Sequence, residues 1–270
     1  MREKQVSILG CGWLGLPMAK HLIAKGWEVK GTTTSSEKIN TLETEGITAY
    51  KIELHQDKIS GDIQGFLQGS QLLIISIPPG LRRDPNPDFV EKIKILTAII
   101  SASKVKNLIY ISSTGVFQDE VPFPTYTEKH QFSADYFAQN QLLQVEHVLQ
   151  NLRGVDSTIL RFGGLVGKER HPVKFLSGRT GLKNPEAPVN LIHLDNCMLL
   201  ISEIIQQGKY GNVFHGVEPL HEAKETYYHQ KAKALHLSPP QFDHERSSAG
   251  KHISMQWTCR ELGLELKPKV

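Results

Sequence analysis

The stretch Gln5-Val6-Ser7-Ile8-Leu9-Gly10-Cys11-Gly12-Trp13-Leu14-Gly15 decides the reading of this chain. Its first part is apolar and β-branched and predicts a buried strand over Gln5–Gly10. From Leu14 the spacing turns helical, with Leu14, Met18, Leu22 and Ile23 on one face and Gly26 as the stop. A Gly-x-Gly-x-x-Gly turn that leaves a strand and opens a helix suits the pyrophosphate of a dinucleotide. Gly10 permits the tight turn, Gly12 lets the backbone approach the phosphates, and Gly15 lets the helix sit close to the strand. The helix start adds unpaired N–H groups and a partial positive charge. Trp13 and Leu14 complete the expected cofactor loop.

Working outward, the pattern predicts further strands over Trp27–Thr33, Ile47–Leu54, Gln71–Ile77, Lys106–Ser112 and Asp156–Phe162. Helices are expected over Glu37–Glu45, Phe89–Ala102, Tyr136–Leu152 and Asp195–Gln207. Strands alternating with helices imply a parallel sheet covered on both faces. Right-handed crossovers then favour an α/β fold with a Rossmann-type doubly wound parallel sheet. After Gly163 the rhythm breaks into shorter elements rich in Gly, Pro, His and Lys. The expected division is a dinucleotide-binding Rossmann core over 1–162, with 189–215 returning to the sheet. Residues 163–188 and 216–270 are expected to form a small C-terminal substrate lobe.

Composition narrows the classes. The 270 residues are 39% hydrophobic and 22% charged, an ordinary globular balance. Gly and Pro follow no repeating period, which excludes collagen and low-complexity disorder. A net charge of +3 is too small to argue for a nucleic-acid or membrane partner. The apolar runs at Val6–Leu9 and Leu72–Pro79 are too short for a signal peptide core or a membrane span. Cys11, Cys197 and Cys259 form no metal spacing, and their odd number suits a reduced compartment. The chain reads as a soluble cytoplasmic protein, with a homodimer left open.

About 20 residues after Gly10, an NAD-specific fold places Asp or Glu on the ribose 2′-OH. Here that place holds Lys30 and Gly31, followed by Thr32-Thr33-Thr34-Ser35-Ser36, with Lys38 nearby. Hydroxyls and a cation suit a 2′-phosphate better than a bare hydroxyl. The expected cofactor is therefore NADP or NAD with NADP favoured, read by Thr32, Thr33, Thr34 and Ser35. The competing reading makes Ser35 or Ser36 the cap of the next helix.

Three more stretches matter: Tyr110-Ile111-Ser112-Ser113-Thr114-Gly115-Val116-Phe117, Leu160-Arg161-Phe162-Gly163-Gly164-Leu165-Val166-Gly167, and Val189-Asn190-Leu191-Ile192-His193-Leu194-Asp195-Asn196. In this order, behind the glycine loop, they resemble the extended short-chain dehydrogenase/reductase superfamily, its NAD-dependent epimerase/dehydratase group. The resemblance covers nearly the whole chain. It is closest to an atypical bacterial subgroup described as nucleoside-diphosphate-sugar epimerases. It implies that Ser113 is the catalytic serine and that Glu53 and Leu54 flank the adenine. It also implies that Ile77 and Pro78 meet the cofactor ribose and that Gly163, Gly164 and Leu165 line the nicotinamide end. The glycine loop departs from the extended family's spacing and has that of ordinary Rossmann dehydrogenases.

The larger departure is catalytic. The superfamily carries Tyr-x-x-x-Lys on the helix after the serine strand. One register takes Tyr136 as the phenol and puts Asn140 at the lysine position. The other takes Glu146 as the family's glutamate and leaves Ala138 and Leu142 at the two positions. The distance from Ser113 and ungapped reading back from Leu160-Arg161-Phe162 favour the second. In both, the lysine is gone, and Asn140 cannot lower a phenol's pKa by charge. Ala138, Leu142, Val145 and Leu149 also share one helix face and read as core.

Other residues read more blandly. Tyr126 with Lys129 is a weak substitute pair, because a loop rarely holds an acid–base pair rigid. Arg82 and Arg83, after Pro-Pro-Gly, could clamp a substrate phosphate or lie in a solvated loop, and the resemblance puts His171, Lys174 and Arg179 where the family binds the nucleotide of a sugar substrate, with the same alternative. Asp195 reads as a helix cap. His130, His215, His221 and His244 have no ligand spacing, so no metal is expected. Two functions remain open. One is an NAD(P)-dependent oxidoreductase or epimerase acting on a nucleotide sugar or a related hydroxylated small molecule. The other is a non-catalytic dinucleotide-binding sensor or interaction module.

Overall fold

The computed structural model describes residues 4–78, 89–168 and 170–270. The Arg82 and Arg83 expectation lies outside the described residues.

The chain enters on β1 (Gln5–Leu9), turns into α1 (Gly15–Ala24), and returns on β2 (Glu28–Thr33). Then come α2 (Glu37–Thr44), β3 (Thr48–Lys51), the hairpin β4 (Glu53–Leu54) and β5 (Ile59–Ser60), and α3 (Ile63–Leu67). Next are β6 (Leu72–Ile75), α4 (Phe89–Ser101) and β7 (Asn107–Ser113). After β8 (Thr125–Tyr126), α5 (Ala134–Gln139) and α6 (Gln141–Gln150) lead to β9 (Asp156–Phe162). The remainder is β10 (Gly164–Val166), α7 (Pro172–Leu176), β11 (Leu191–His193), α8 (Leu194–Gln207), β12 (Val213–Gly216), α9 (Lys224–Ala234), β13 (His252–Ile253) and α10 (Gln256–Leu262).

Seven strands form one sheet in the order β12-β9-β7-β6-β1-β2-β3. The register is parallel from β3 through β2, β1 and β6 to β7. This is the expected Rossmann-type doubly wound α/β sheet. The chain runs outward from β1 to β3, then crosses back to β6 on the other side of β1. The topological switch point therefore lies at the carboxyl ends of β1 and β6, where open α/β sheets bind ligands.

Two expected elements come out differently. The predicted strand over Ile47–Leu54 stops at Lys51, and Glu53–Leu54 pairs antiparallel with Ile59–Ser60 instead. The buried Ile52 marks the bend. The predicted helix over Tyr136–Leu152 is two helices. Asn140 between them is extended (φ −112°, ψ 99°), and its side chain accepts from Leu143 N, capping α6. A short polar side chain that satisfies an orphan N–H favours a new helix start over continuation. Ala138 is consequently exposed on α5 rather than part of the α6 core face, while Leu142, Val145 and Leu149 do pack inward.

The chain divides into two compact units. The first holds the chain up to Ser112, Phe132–Leu160 and Gly208–Val213. Its core joins Leu9, Leu73 and Ile75 of the sheet to Ile93 and Leu96 of α4 and Val145 and Leu149 of α6. The second unit holds Ser113–Gln131, Arg161–Gln207 and Phe214–Val270. Its own cluster includes Val166, Val173, Val189, Tyr227 and Tyr228. There the buried Glu218 accepts from His193 N (2.9 Å), Asn196 Nδ2 (2.6 Å), Lys269 N (2.6 Å) and Val270 N (3.0 Å). A buried carboxylate is tolerable only with such full pairing, and here it ties the last residues to the α8 start. Among the described residues no helix is long and apolar enough to cross a membrane.

Candidate functional site

The β1–α1 turn is built from backbone sterics. Gly10 has φ +101°, and a Cβ there would lie 2.7 Å from Ser76 O. A Cβ on Gly15 would lie 2.1 Å from Gly10 O, so helix and turn meet backbone to backbone. Gly12 is the opposite: a Cβ there meets nothing within 4 Å. Two glycines are thus required by packing, and the third borders open space at the start of α1. That helix has no capping side chain and no acidic residue in its first turn, which leaves its positive end to an anion.

The loop is held from behind. Gly10 N donates to Thr32 Oγ1 (2.8 Å) and Cys11 N to Thr32 O (2.9 Å). The Cys11 side chain is buried, which pushes its thiol up to about 12. A Cβ on Gly31 would sit 2.5 Å from its sulfur, so Gly31 makes room for the loop's anchor. Leu14 is buried too, while Trp13 is half-buried. Ile77 touches the same turn, 2.9 Å from a Gly10 Cβ, and Pro78 beyond it is exposed. These residues fit a dinucleotide's pyrophosphate, because an open cradle at Gly12 is what a side chain would fill.

The β2–α2 loop divides its hydroxyls. Thr32 is buried and committed to Gly10. Thr33 Oγ1 accepts from Ser35 N at 3.1 Å, and Thr34 is exposed. Ser36 stands at the helix cap position without a side-chain capping hydrogen bond. Lys30 donates to Gly65 O and Gln68 O (2.8 and 2.7 Å). The cation that does reach the loop is Lys51, whose Nζ donates to Ser36 Oγ at 2.8 Å. Sequence reading missed it. The signal lies in the register, since parallel pairing sets Lys51 opposite Thr33. Beyond the bend, Glu53 is exposed and Leu54 packs on the first unit's core.

Tyr136 belongs to this first unit. Its ring stacks on Phe132 at 5.9 Å, and its hydroxyl accepts from Asn140 Nδ2 at 3.3 Å. In the register that takes Tyr136 as the phenol, a neutral amide stands at the lysine position. Glu146 is buried and accepts from Ser112 Oγ at 2.5 Å, joining α6 to β7.

Ser113 and Gly164 lie in the second unit. Ser113 Oγ accepts from Gly115 N (3.0 Å), and Gly164 N donates to Asn190 O (2.8 Å). Tyr126 is buried, stacked on Phe117 at 4.6 Å, and donates to Glu120 (2.7 Å), while Lys129 is exposed. His171 faces inward. Its Nδ1 accepts from Val173 N, so Nε2 carries the proton and donates to Tyr227 OH at 3.0 Å. Burial first, then Lys231 and Lys174, lower its pKa to about 4. It is a buried helix cap rather than part of a phosphate grip, whereas Lys174 and Arg179 remain exposed. Asp195 is on α8 beside Lys269 (2.9 Å), whose hydrogen bond lowers its pKa. Among the described residues no group of three His, Cys, Asp or Glu could hold a metal.

Comparison with known proteins gives a consistent picture. Residues 10–190 match the NAD(P)H-binding family. Protein YeeZ of Escherichia coli K12 is 33% identical over 266 residues, covering 97% of this chain and 95% of that one. Among solved structures, DesIV, the dTDP-glucose 4,6-dehydratase of Streptomyces venezuelae with NAD bound, superposes with a TM-score of 0.75 at 15% identity. The match spans 98% of this chain and 92% of DesIV. UDP-N-acetylglucosamine 4-epimerase from Bacillus cereus gives a TM-score of 0.72 at 14% identity, spanning 98% and 95% of the chains. At such identities the structures establish the fold, and the family match establishes the kinship. The open Gly12 cradle at the switch point and these matches agree: the chain belongs to the NAD(P)H-binding family.

Proposed function

We propose that this protein binds NADP in preference to NAD and presents it to a nucleotide sugar or a related hydroxylated small molecule in the cytoplasm. The open cradle at Gly12, flanked by two glycines that packing demands, carries this reading. Gly10, Gly12, Trp13, Leu14 and Gly15 hold the pyrophosphate through backbone N–H groups. Thr33, Thr34 and Ser35 surround the ribose with Lys51, and Glu53, Leu54, Ile77 and Pro78 flank the adenosine. A bound NAD(P) supplies hydride exchange at nicotinamide C4. Ser113 donates its hydroxyl to the reacting oxygen, and Gly164 lines the nicotinamide end. The second unit serves as the substrate lobe.

NADP preference rests on Lys51. An ammonium already placed beside Ser36 meets a 2′-phosphate as a charge-assisted partner, worth about 1.5–3 kcal/mol. Titration calorimetry with both cofactors tests it. NADP is expected to bind at least about tenfold tighter, and Lys51→Ala should abolish the difference while NAD binding stays the same. Equal affinities in the wild type refute the preference, and no heat with either cofactor refutes the site.

The hydrogen bond from Asn140 to Tyr136 supports a second reading, a dinucleotide-responsive module without turnover. A neutral amide brings no positive charge to activate the phenol it holds as a base. Tight cofactor binding with no product from any hydroxylated substrate would favour this reading.

A further inference from the structure

Lys224, the first residue of α9, sits where a cation is least welcome. It is half-buried, and burial lowers its pKa. It stands at a helix N-terminus, where the dipole disfavours positive charge. The charge of Asp119 offsets part of that lowering, and the ammonium of Lys251 adds to it. Among the described residues its own ammonium has no hydrogen-bond partner. Local choices that oppose stability mark functional positions more often than scaffolding ones.

Lys251 is better anchored. Its side chain is only 13% exposed, and Nζ donates to Phe117 O (2.6 Å) and to Asp119 Oδ1 (3.1 Å). The two lysines come together because three segments of the second unit are locked. Glu120 and Gly250 exchange backbone hydrogen bonds of 2.9 and 3.0 Å. Lys224 N donates to Ala187 O (2.9 Å), and a Cβ on Gly250 would lie 2.7 Å from Ala187 Cβ. Lys251 also grips the carbonyl of Phe117 at the end of the short turn Thr114–Val116 that follows Ser113.

We infer that Lys224 and Lys251 form an anion subsite of the second unit, which takes the carboxylate of a small-molecule substrate. The inference rests on reading the second unit as the substrate lobe. Asp119 is paired with Lys251 at 3.1 Å, so the positive charge of Lys224 is left over. A monoanionic carboxylate balances it, whereas a phosphate dianion would overshoot. Lys224 is the open arm of the subsite. Lys251 is the fixed arm, and its hold on Phe117 ties the bound carboxylate to the segment that carries Ser113.

The test is thermal unfolding of the full chain with D-glucuronate, D-glucose or inorganic phosphate, at constant pH and ionic strength. Glucuronate should raise the melting temperature saturably and glucose should not. Lys224→Met should weaken glucuronate by about tenfold or more, and without ligand it should melt higher than the wild type because a disfavoured cation is gone. The inference is overturned if glucuronate acts no better than glucose, if the variant responds like the wild type, or if the ligand-free variant melts lower. Stronger stabilisation by phosphate than by glucuronate overturns the carboxylate assignment. NADP titration of Lys224→Met separates the two readings: its affinity should equal the wild type's, whichever way the dinucleotide site itself is decided.

Discussion

The β1–α1 turn and the α5–α6 segment stand in opposite relation to the family pattern. In the turn, every requirement is a backbone requirement: a positive φ at Gly10, a contact at Gly15 and a void at Gly12. In the segment, the requirement is a pair of side chains, and only the scaffold around them remains. Glu146 still joins Ser112, but Asn140 breaks the helix and holds Tyr136 by a neutral amide. Binding depends on shape that glycine spacing alone guarantees. Acid–base chemistry depends on individual groups, and such groups can change one residue at a time without disturbing the fold.

The three glycines break this comparison most severely if it is wrong. Gly15→Ala forces a Cβ onto Gly10 O and should cost about 3 kcal/mol or more, or prevent folding. Gly12→Val has room and should melt within a degree or two of the wild type, yet lose dinucleotide affinity by about 100-fold. Circular-dichroism melts beside calorimetry separate them. If both variants fold and both bind, the turn is only a turn.

Turnover sharpens the other side. Proton transfer by a positioned group contributes roughly 10²–10⁴-fold, so UDP- and dTDP-sugars with either cofactor should give no product or very slow product. Absorbance at 340 nm and product chromatography are the readouts. Robust epimerase or dehydratase turnover would show an acid–base group that the dyad pattern misses. If that activity then vanished in Tyr136→Phe, the separate start of α5 would be what brings the phenol to the chemistry.

Acid should separate the two units. His171 and His215, both buried in the second unit, have pKa values lowered to about 4, chiefly by burial. The unfolded chain takes up protons near pH 6.5, and the folded chain does so only near 4. Stability is therefore complete above pH 6.5 and falls as the pH drops from 6.5 toward 4. Hydrogen exchange at pH 5 should show the second unit's amides losing protection before those of β1 and β6. Uniform loss across the chain would contradict this.

Much of the first unit was legible because its information is local. Strand, glycine turn, helix and the apolar periods of α4 and β9 can be read from consecutive residues. What escaped depends on partners distant in sequence. Lys51 reaches the β2–α2 loop through a strand register. His171, which by position alone could grip a phosphate, turns inward to Tyr227, 56 residues away. Thr32, a candidate reader of the cofactor, is used up holding Gly10. The break at Asn140 escaped for a different reason. Asn is a mediocre helix former rather than a breaker, so the apolar period ran through it unmarked.

That break supports the smallest and most specific expectation. Asn140 Oδ1 accepts from Leu143 N at 3.2 Å and Nδ2 donates to Tyr136 OH at 3.3 Å, so one side chain caps α6 and tethers the phenol of α5. Asn140→Ala removes both contacts and should cost about 1 kcal/mol, as caps do. Asn140→Asp keeps the cap acceptor, improves it at a helix N-terminus, and loses only the amide donor to Tyr136. Chemical denaturation should therefore rank wild type and Asn140→Asp together, with Asn140→Ala below both at an unchanged m-value. Asn140→Lys places an ammonium at the lysine position of the Tyr136 register without restoring a continuous helix. It should lose the cap's stability and still show no turnover, because the lysine would enter at an interruption rather than one helical turn beyond the phenol. Activity in Asn140→Lys would mean that α5 and α6 rejoin, and that the cap alone had kept this segment from acid–base chemistry.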